Sequence, residues 1–266
     1  MTEKTTIPRH ELRIYPDSGL HHPLTIHEHK ARYLWAVQTL GGLAAKGEAL
    51  ANVVDLGSGE GYGTDMLRKA GFATRGIDLS AQDVTEACEK YGDYFQTGDV
   101  KQLPWADQSI DTVCCFEVIE HFPEPEIAMR EAMRVLRPGG YYLLSTPNVK
   151  VFVMAGAHPD HFKEYTAQEM LDLLAQCGFV VHEWYGQSLN APVATKLYHT
   201  KFSHWYVTLK RSLGINGPLL KGKARHGFEK LTTGHTSAEL SEADWVFKAH
   251  DETAPQFMFL AQRPLN

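Results

Sequence analysis

Between Asn52 and Val181, short runs rich in β-branched residues alternate with amphipathic stretches, a pattern that builds βαβ units around a parallel sheet covered on both faces. The spacing predicts strands at Asn52–Leu56, Ala73–Ile77, Tyr94–Thr97, Ile110–Phe116, Tyr141–Ser145 and Phe179–Trp184. A last strand-like run, Gln256–Ala261, follows only after a long change of pattern. Ser80 with Asp83 reads as the cap of a helix running to Lys90, and Thr166 with Glu169 as a capping box for a helix that Gly178 stops. A helix from Pro125 to Leu136 places Ile127, Ala128, Ala132, Val135 and Leu136 on one face, toward the sheet, and RPGG then ends it. Upstream, His29–Leu40 reads as a helix that turns Tyr33, Leu34, Val37 and Leu40 inward and covers one end of the sheet. The resulting division is a cap and covering helix over residues 1–49, a core over 50–186, an insertion over 187–255 and a last core strand over 256–266.

The 266 residues are 43% hydrophobic and 22% charged, the balance of an ordinary globular protein rather than a fibrous or disordered one. A net charge of −6 disfavours long nucleic acid and anionic membrane as partners, so any basic surface is local. It is local in the sequence: Lys196–Lys230 holds eight Lys or Arg against one acid, Glu229, interleaved with Tyr198, Phe202, Trp205 and Tyr206. That mixture suits stacking combined with phosphate contact and gives the insertion a role in recognition. The four cysteines, Cys88, Cys114, Cys115 and Cys177, form no C-x-x-C pair and are expected to be reduced and buried. No apolar run approaches a membrane span and the N-terminal stretch lacks a secretion signal, so a cytoplasmic chain is expected.

Chemistry first enters at VVDLGSGEGYGT, residues 53–64, where glycines follow a buried strand and open a helix. Such a loop lets the backbone approach a ligand and presents the free N–H groups of a helix N-terminus. Asp78, at the end of the second strand, sits where a carboxylate accepts both hydroxyls of a ribose, and Asp99, after the third, where it could accept from an adenine amine. The spacing G-x-G-x-G-x-G departs from the dinucleotide fingerprint, and the acids Asp55 and Glu60 beside the loop disfavour a pyrophosphate. A cationic nucleotide fits better.

These segments, together with GDVKQLPW, DTVCCFEVIEH and RVLRPGGYYLLSTPN, resemble the class I S-adenosylmethionine-dependent methyltransferases over roughly residues 50–185. The resemblance implies an α/β, Rossmann-like, seven-stranded, mostly parallel sheet with helices on both faces, an antiparallel last strand and an inserted helical lid. It implies S-adenosyl-L-methionine as cofactor, held by Asp55, Gly57, Ser58, Gly59, Gly61, Asp78, Leu79, Asp99, Val100 and Glu117. Within that set, Asp78 would hold the ribose, Asp99 and Val100 the adenine, and the Gly57–Gly61 backbone the methionine part.

Past the fourth strand, FEVIEHF sets Glu117, Glu120 and His121 at i, i+3 and i+4, which face one way if the chain turns helical there. Two carboxylates and an imidazole suit Mg²⁺, Mn²⁺ or Zn²⁺. AHPDHFKEYT adds His158, Asp160 and His161. The pattern resembles the metal-dependent small-RNA 2′-O-methyltransferases, and its Glu-x-x-Glu-His also resembles the ubiquinone-pathway O-methyltransferases. By that likeness Glu117, Glu120, His121 and His161 would bind Mg²⁺ or Mn²⁺, with His158 a rival fourth ligand, and Glu120 and His121 would be catalytic. A dication lowers the pKa of a hydroxyl and orients it; without one, His121 would serve as general base. His29 and Arg32, in an EHKARY segment similar to that of some sugar-modifying methyltransferases, are expected to line the pocket, whereas the histidines His21, His22, His27 and His29 show no metal spacing.

The expected activity is methylation of a hydroxyl on a small molecule, sugar or glycan, with a phosphate-bearing acceptor suiting the basic insertion. RNA 2′-O-methylation and a non-catalytic S-adenosylmethionine-binding module are the alternatives. The sequence leaves the acceptor atom and the oligomeric state open.

Overall fold

The computed structural model describes residues 23–151, 161–190 and 241–265. Its helices are α1 (Pro23–Ala44), α2 (Tyr62–Lys69), α3 (Ala81–Tyr91), α4 (Pro125–Val135) and α5 (Ala167–Gln176). The strands are β1 (Asn52–Leu56), β2 (Ala73–Asp78), β3 (Phe95–Thr97), β4 (Ile110–Phe116), β5 (Leu136–Pro147), β6 (Val180–Leu189), β7 (Trp245–Ala249) and β8 (Gln256–Gln262). They form one sheet in the order β3-β2-β1-β4-β5-β8-β6-β7. The first five pair in parallel, and β8 runs antiparallel between β5 and β6.

Alternation along the central strands sorts their side chains between two cores. Val54, Leu56, Val113, Cys115, Tyr142 and Leu144 face α4 and α5, while Val53, Cys114, Tyr141 and Leu143 face α1 and α2. Burial on both faces explains why these strands carry apolar residues at successive positions. Cys114, Cys115 and Cys177 are buried and all four cysteines are unbridged. Among the described residues no helix is long and apolar enough to cross a membrane.

The structure corrects several expectations. Among the described residues eight strands, not seven, make the sheet, because the insertion assigned to 187–255 gives back Trp245–Ala249 as an edge strand on an extended β6, with Leu189 opposite Trp245 and Tyr185 opposite Ala249. The expected lid falls largely on residues 191–240, outside the described residues. RPGG ends α4 as expected, but β5 begins at Leu136 rather than Tyr141 and runs through RPGG with a register shift against β4, Gly139 adopting φ +75°. On α1, Leu34 points outward at 36% exposure, and Trp35 and Ala36 are buried instead. On α4, Ile127 is exposed, and the buried face is Pro125, Ala128, Met129, Ala132 and Val135. In both helices the misplaced residue lies about 100° from the true apolar stripe, one step of the 3.6-residue period.

The capping box of α5 forms as expected. Glu169 N–H donates to Thr166 Oγ1 at 3.2 Å and Thr166 N–H donates to Glu169 Oε2 at 2.9 Å. These bonds, with Lys163 at 2.9 Å, hold the Glu169 carboxyl down at about 2. Thr166→Ala should cost about 1 kcal/mol of unfolding free energy in a denaturant titration, and no loss would show that the helix start is held by packing alone.

Candidate functional site

After β3 the chain crosses to the other side of β1, so the crevice of the sheet opens beyond the carboxyl ends of β1 and β4. The glycine-rich loop lies there, Gly57, Ser58 and Gly59 joining β1 to α2, with Gly61 as a left-handed N-cap at φ 82°. Two of its glycines answer to different demands. A Cβ on Gly63 would lie 1.9 Å from the Tyr33 ring, so α1 could not seat against α2 with any side chain there. A Cβ on Gly59, at φ +51°, would meet nothing within 4 Å: the backbone at this point faces open space that a ligand can fill.

Of the acids expected to read a nucleotide, Asp78 borders that space. Asp78 Oδ2 accepts the Gly59 N–H and Oδ1 the Ser80 N–H, both at 2.9 Å, which fixes the carboxylate at the end of β2 beside the loop. Next to it Leu79 is 58% exposed, an apolar surface that a purine can cover. Asp99 Oδ1 accepts the Lys101 N–H at 2.9 Å in a turn of its own, and Val100 is buried behind it. Ser58 Oγ is buried with no hydrogen-bond partner among the described residues. An open cradle, an orphaned hydroxyl and the Asp78 carboxylate fit a cationic nucleotide.

Asp55 is placed differently from expectation. It is completely buried beneath the loop, where it accepts from Thr64 Oγ1 at 2.7 Å and from Tyr33 OH at 3.1 and 3.2 Å. It therefore supports the loop rather than lining the crevice, and burial pushes its carboxyl up to about 7.

The Glu-x-x-Glu-His segment is not one helical face. Glu117 adopts φ +56°, and only Ile119–His121 form a 3₁₀ turn. The left-handed residue carries Glu117 away from its neighbours. Its Oε1 accepts from Ser145 Oγ at 2.8 Å, and its Oε2 lies 3.6 Å from Arg32 Nη2. Glu120, His121 and His161 do come together, each offering a ligand atom within 4.8 Å of the others, with the two imidazoles 4.9 Å apart. Glu117, expected as a fourth ligand, stays outside this trio. His158 and Asp160 lie outside the described residues.

Backbone bonds assemble the trio across forty residues of sequence: the Glu120 carbonyl accepts N–H groups of Phe162 at 2.8 Å and Lys163 at 3.4 Å. The Glu120 side chain is fully buried, Oε2 accepting from Thr146 Oγ1 at 3.3 Å and Oε1 left without a partner among the described residues. An orphaned buried carboxylate oxygen costs about 1–3 kcal/mol or more. Burial and the charge of Glu117 push this carboxyl well above its ordinary value. A proton or a cation is what such a group lacks, so the donor set fits a divalent ion.

Arg32 is 1% exposed; its Nε donates to Gln187 Oε1 at 2.9 Å, and Gln187 Nε2 donates to the Glu28 carbonyl at 2.8 Å. Burial pushes Glu28 up to about 7 against the opposing pull of Arg32. Glu28, Gln187 and Ser145 were not singled out in the sequence, although a Glu–Arg pair at i, i+4 on a helix and a Gln within a strand are polar interruptions that could have marked them. Of the N-terminal histidines, His27 lies 2.9 Å from Glu242 and so fastens α1 to the turn before β7, and His29 is half-buried, while His21 and His22 lie outside the described residues.

Phe122 and Phe162, each one residue beyond a histidine of the trio, border an open groove of about 590 Å³ between α4 and α5, which shares no residue with the glycine loop.

The arrangement is that of the class I methyltransferase fold, and comparison with known proteins agrees. Residues 54–144 match the family described as a methyltransferase domain. A protein of Mycolicibacterium smegmatis named "Probable S-adenosylmethionine-dependent methyltransferase" is 35% identical over 54% of this chain and 57% of its own length. A ubiquinone biosynthesis O-methyltransferase of Cupriavidus pinatubonensis is 28% identical over 62% of this chain and 72% of its own. The chain thus spans about half the length of the mycobacterial relatives it matches. A solved Thermotoga maritima structure, described as an S-adenosylmethionine-dependent methyltransferase and possible histamine N-methyltransferase, shares the fold with a TM-score of 0.57 at 18% identity, over 89% of this chain and 91% of its own. The matched domain contains the loop, Asp78, Asp99 and Glu117–His121, but ends before His161.

Asp55 makes the electrostatics testable. Its carboxyl titrates near 7 when folded and near 3.9 when unfolded, so between those values only the folded state holds the proton, and stability falls as pH rises through that window. Asp55→Asn cannot ionise. Its stability relative to wild type should therefore improve by more than ~1 kcal/mol from pH 5 to pH 8 in urea unfolding; a difference independent of pH would mean that Asp55 is ionised throughout.

Proposed function

We propose that this chain is an S-adenosylmethionine-dependent O-methyltransferase that binds Mg²⁺ or Mn²⁺ through Glu120, His121 and His161 and acts on a hydroxyl of a small molecule or sugar. The observation that carries the reading is the buried, half-satisfied Glu120 clustered with two histidines at the carboxyl end of β4, on the same edge of the sheet as the open glycine cradle.

The cofactor supplies an electrophilic methyl group on a sulfonium. In this reading Asp78, fixed by two backbone N–H groups, accepts the ribose hydroxyls, the exposed Leu79 covers the adenine and Asp99 accepts from its amine. Gly59 lets the backbone approach the methionine part. The Asp78 carboxylate, met by backbone N–H groups in the bonds described, favours a cationic ligand over a pyrophosphate.

A bound dication lowers the pKa of a coordinated hydroxyl and orients it. With the ion bound His121 would be a ligand and the hydroxyl proton would leave to water, whereas without the ion His121 would be the general base; Glu120, deprived of water, holds its charge only against a cation. Glu117 holds the buried Arg32 guanidinium at the end of β4.

Relatives named for O-methylation in ubiquinone biosynthesis support an oxygen acceptor on a small molecule. A net charge of −6 supports the same choice over long RNA. The test is calorimetry with cofactor followed by turnover on vicinal diols. Asp78→Ala should weaken S-adenosylmethionine about tenfold or more through the lost charged acceptor. Glu120→Ala and His121→Ala should abolish Mn²⁺-stimulated turnover while leaving cofactor affinity intact. Activity indifferent to a chelator would remove the ion. Tight cofactor binding with no product from any diol would favour a non-catalytic module, and oligonucleotide binding that falls steeply with salt would favour RNA.

A further inference from the structure

We infer that Glu164 is a positioning residue of the metal centre, holding the His161 imidazole through Nδ1 so that Nε2 is the ligand atom; this rests on the metal reading given above. Three observations converge on it. His161 Nδ1 and Glu164 Oε1 are 3.1 Å apart, with both side chains almost buried, at 10% and 5% exposure. The peptide that carries them is fastened between the two residues and just beyond Glu164. Between the two residues, the N–H groups of Phe162 and Lys163 reach the Glu120 carbonyl; just beyond, Tyr165 bridges to Asn148 and its carbonyl accepts the Val149 N–H at 3.1 Å. The imidazole held by this contact belongs to the trio whose ligand atoms lie within 4.8 Å of one another.

The chemistry follows from the two nitrogens of a neutral imidazole, one a donor and the other an acceptor. A carboxylate at Nδ1 selects the tautomer with the proton on that nitrogen and leaves the lone pair on Nε2. The negative charge also makes the imidazole a stronger donor to a cation, and partners of this kind typically change metal affinity 10–100-fold. Glu164 lies three residues beyond His161 in a segment with no regular helix, and its place is defined by the bonds to Glu120 and Asn148 rather than by local propensity. It is not a member of the ligand trio.

The experiment titrates the full chain, freed of metal by a chelator, with Mn²⁺ alone in a calorimeter, and records the visible spectrum with Co²⁺. Glu164→Ala should lose about tenfold or more in Mn²⁺ affinity and shift the Co²⁺ bands, whereas Glu164→Gln, whose amide oxygen still accepts from Nδ1–H, should keep most of the affinity. In a His161→Ala background, Glu164→Ala should cost nothing further, since its effect runs through that ring. Wild-type affinity in Glu164→Ala would overturn the assignment and leave the metal reading standing. A loss in Glu164→Gln as large as in Glu164→Ala would make Glu164 a direct ligand, and a further loss in the His161→Ala background would show a route that bypasses the imidazole; either overturns it. A wild-type chain that takes up no Mn²⁺ overturns the metal reading and this assignment together.

Discussion

Carboxylates removed from water at the carboxyl edge of a parallel sheet are expensive, and the architecture of this crevice depends on how each one is compensated. Asp55 is met by two hydroxyls, Asp78 by two backbone N–H groups, and Glu117 by a hydroxyl and the Arg32 guanidinium. Glu120 has only a long bond from Thr146, and one of its oxygens has no partner among the described residues. The first three arrangements are nearly complete within the protein. The fourth is incomplete, and that incompleteness sets Glu120 apart as a ligand-binding group.

Helix α1 supplies much of the compensation. Its successive residues Arg32 and Tyr33 reach the ends of two different strands, Arg32 toward Glu117 after β4 and Tyr33 toward Asp55 on β1. The Tyr33 ring also occupies the place a side chain on Gly63 would take, and packs edge-on against Tyr62 and Phe116. The helix is thus a wall of the crevice as well as a cover for the apolar face of the sheet. Loosening it would expose Asp55 and Glu117 together and disturb both the cofactor loop and the trio.

Much of this was legible in the chain. The β-branched runs placed β1 and β4 at their observed bounds, because strands buried on both faces show little exposed-buried alternation, and β2 to within a residue. Thr166 and Glu169 announced their capping box, which needs only neighbours in sequence. The strand at Trp245–Ala249 was missed because an edge strand buries little, and its apolar signal is correspondingly short. Glu117 was misassigned because the i, i+3, i+4 rule presumes helix, and a residue at φ +56° breaks that presumption.

What the sequence determined by itself was local and repetitive: the order of strands and helices, the glycine loop, and the acids at the ends of the strands, all written in short-range patterns of polarity and turn chemistry. What only the tertiary structure decided was which of those groups meet. His161 joins Glu120 and His121 through hydrogen bonds spanning about forty residues, Glu28 and Arg32 find Gln187 across the fold, and Asp55 turns inward rather than toward the crevice. Contacts of that kind depend on strand order and on the direction of single side chains. No periodicity along the chain encodes either, because each is set by the packing of elements far apart in sequence.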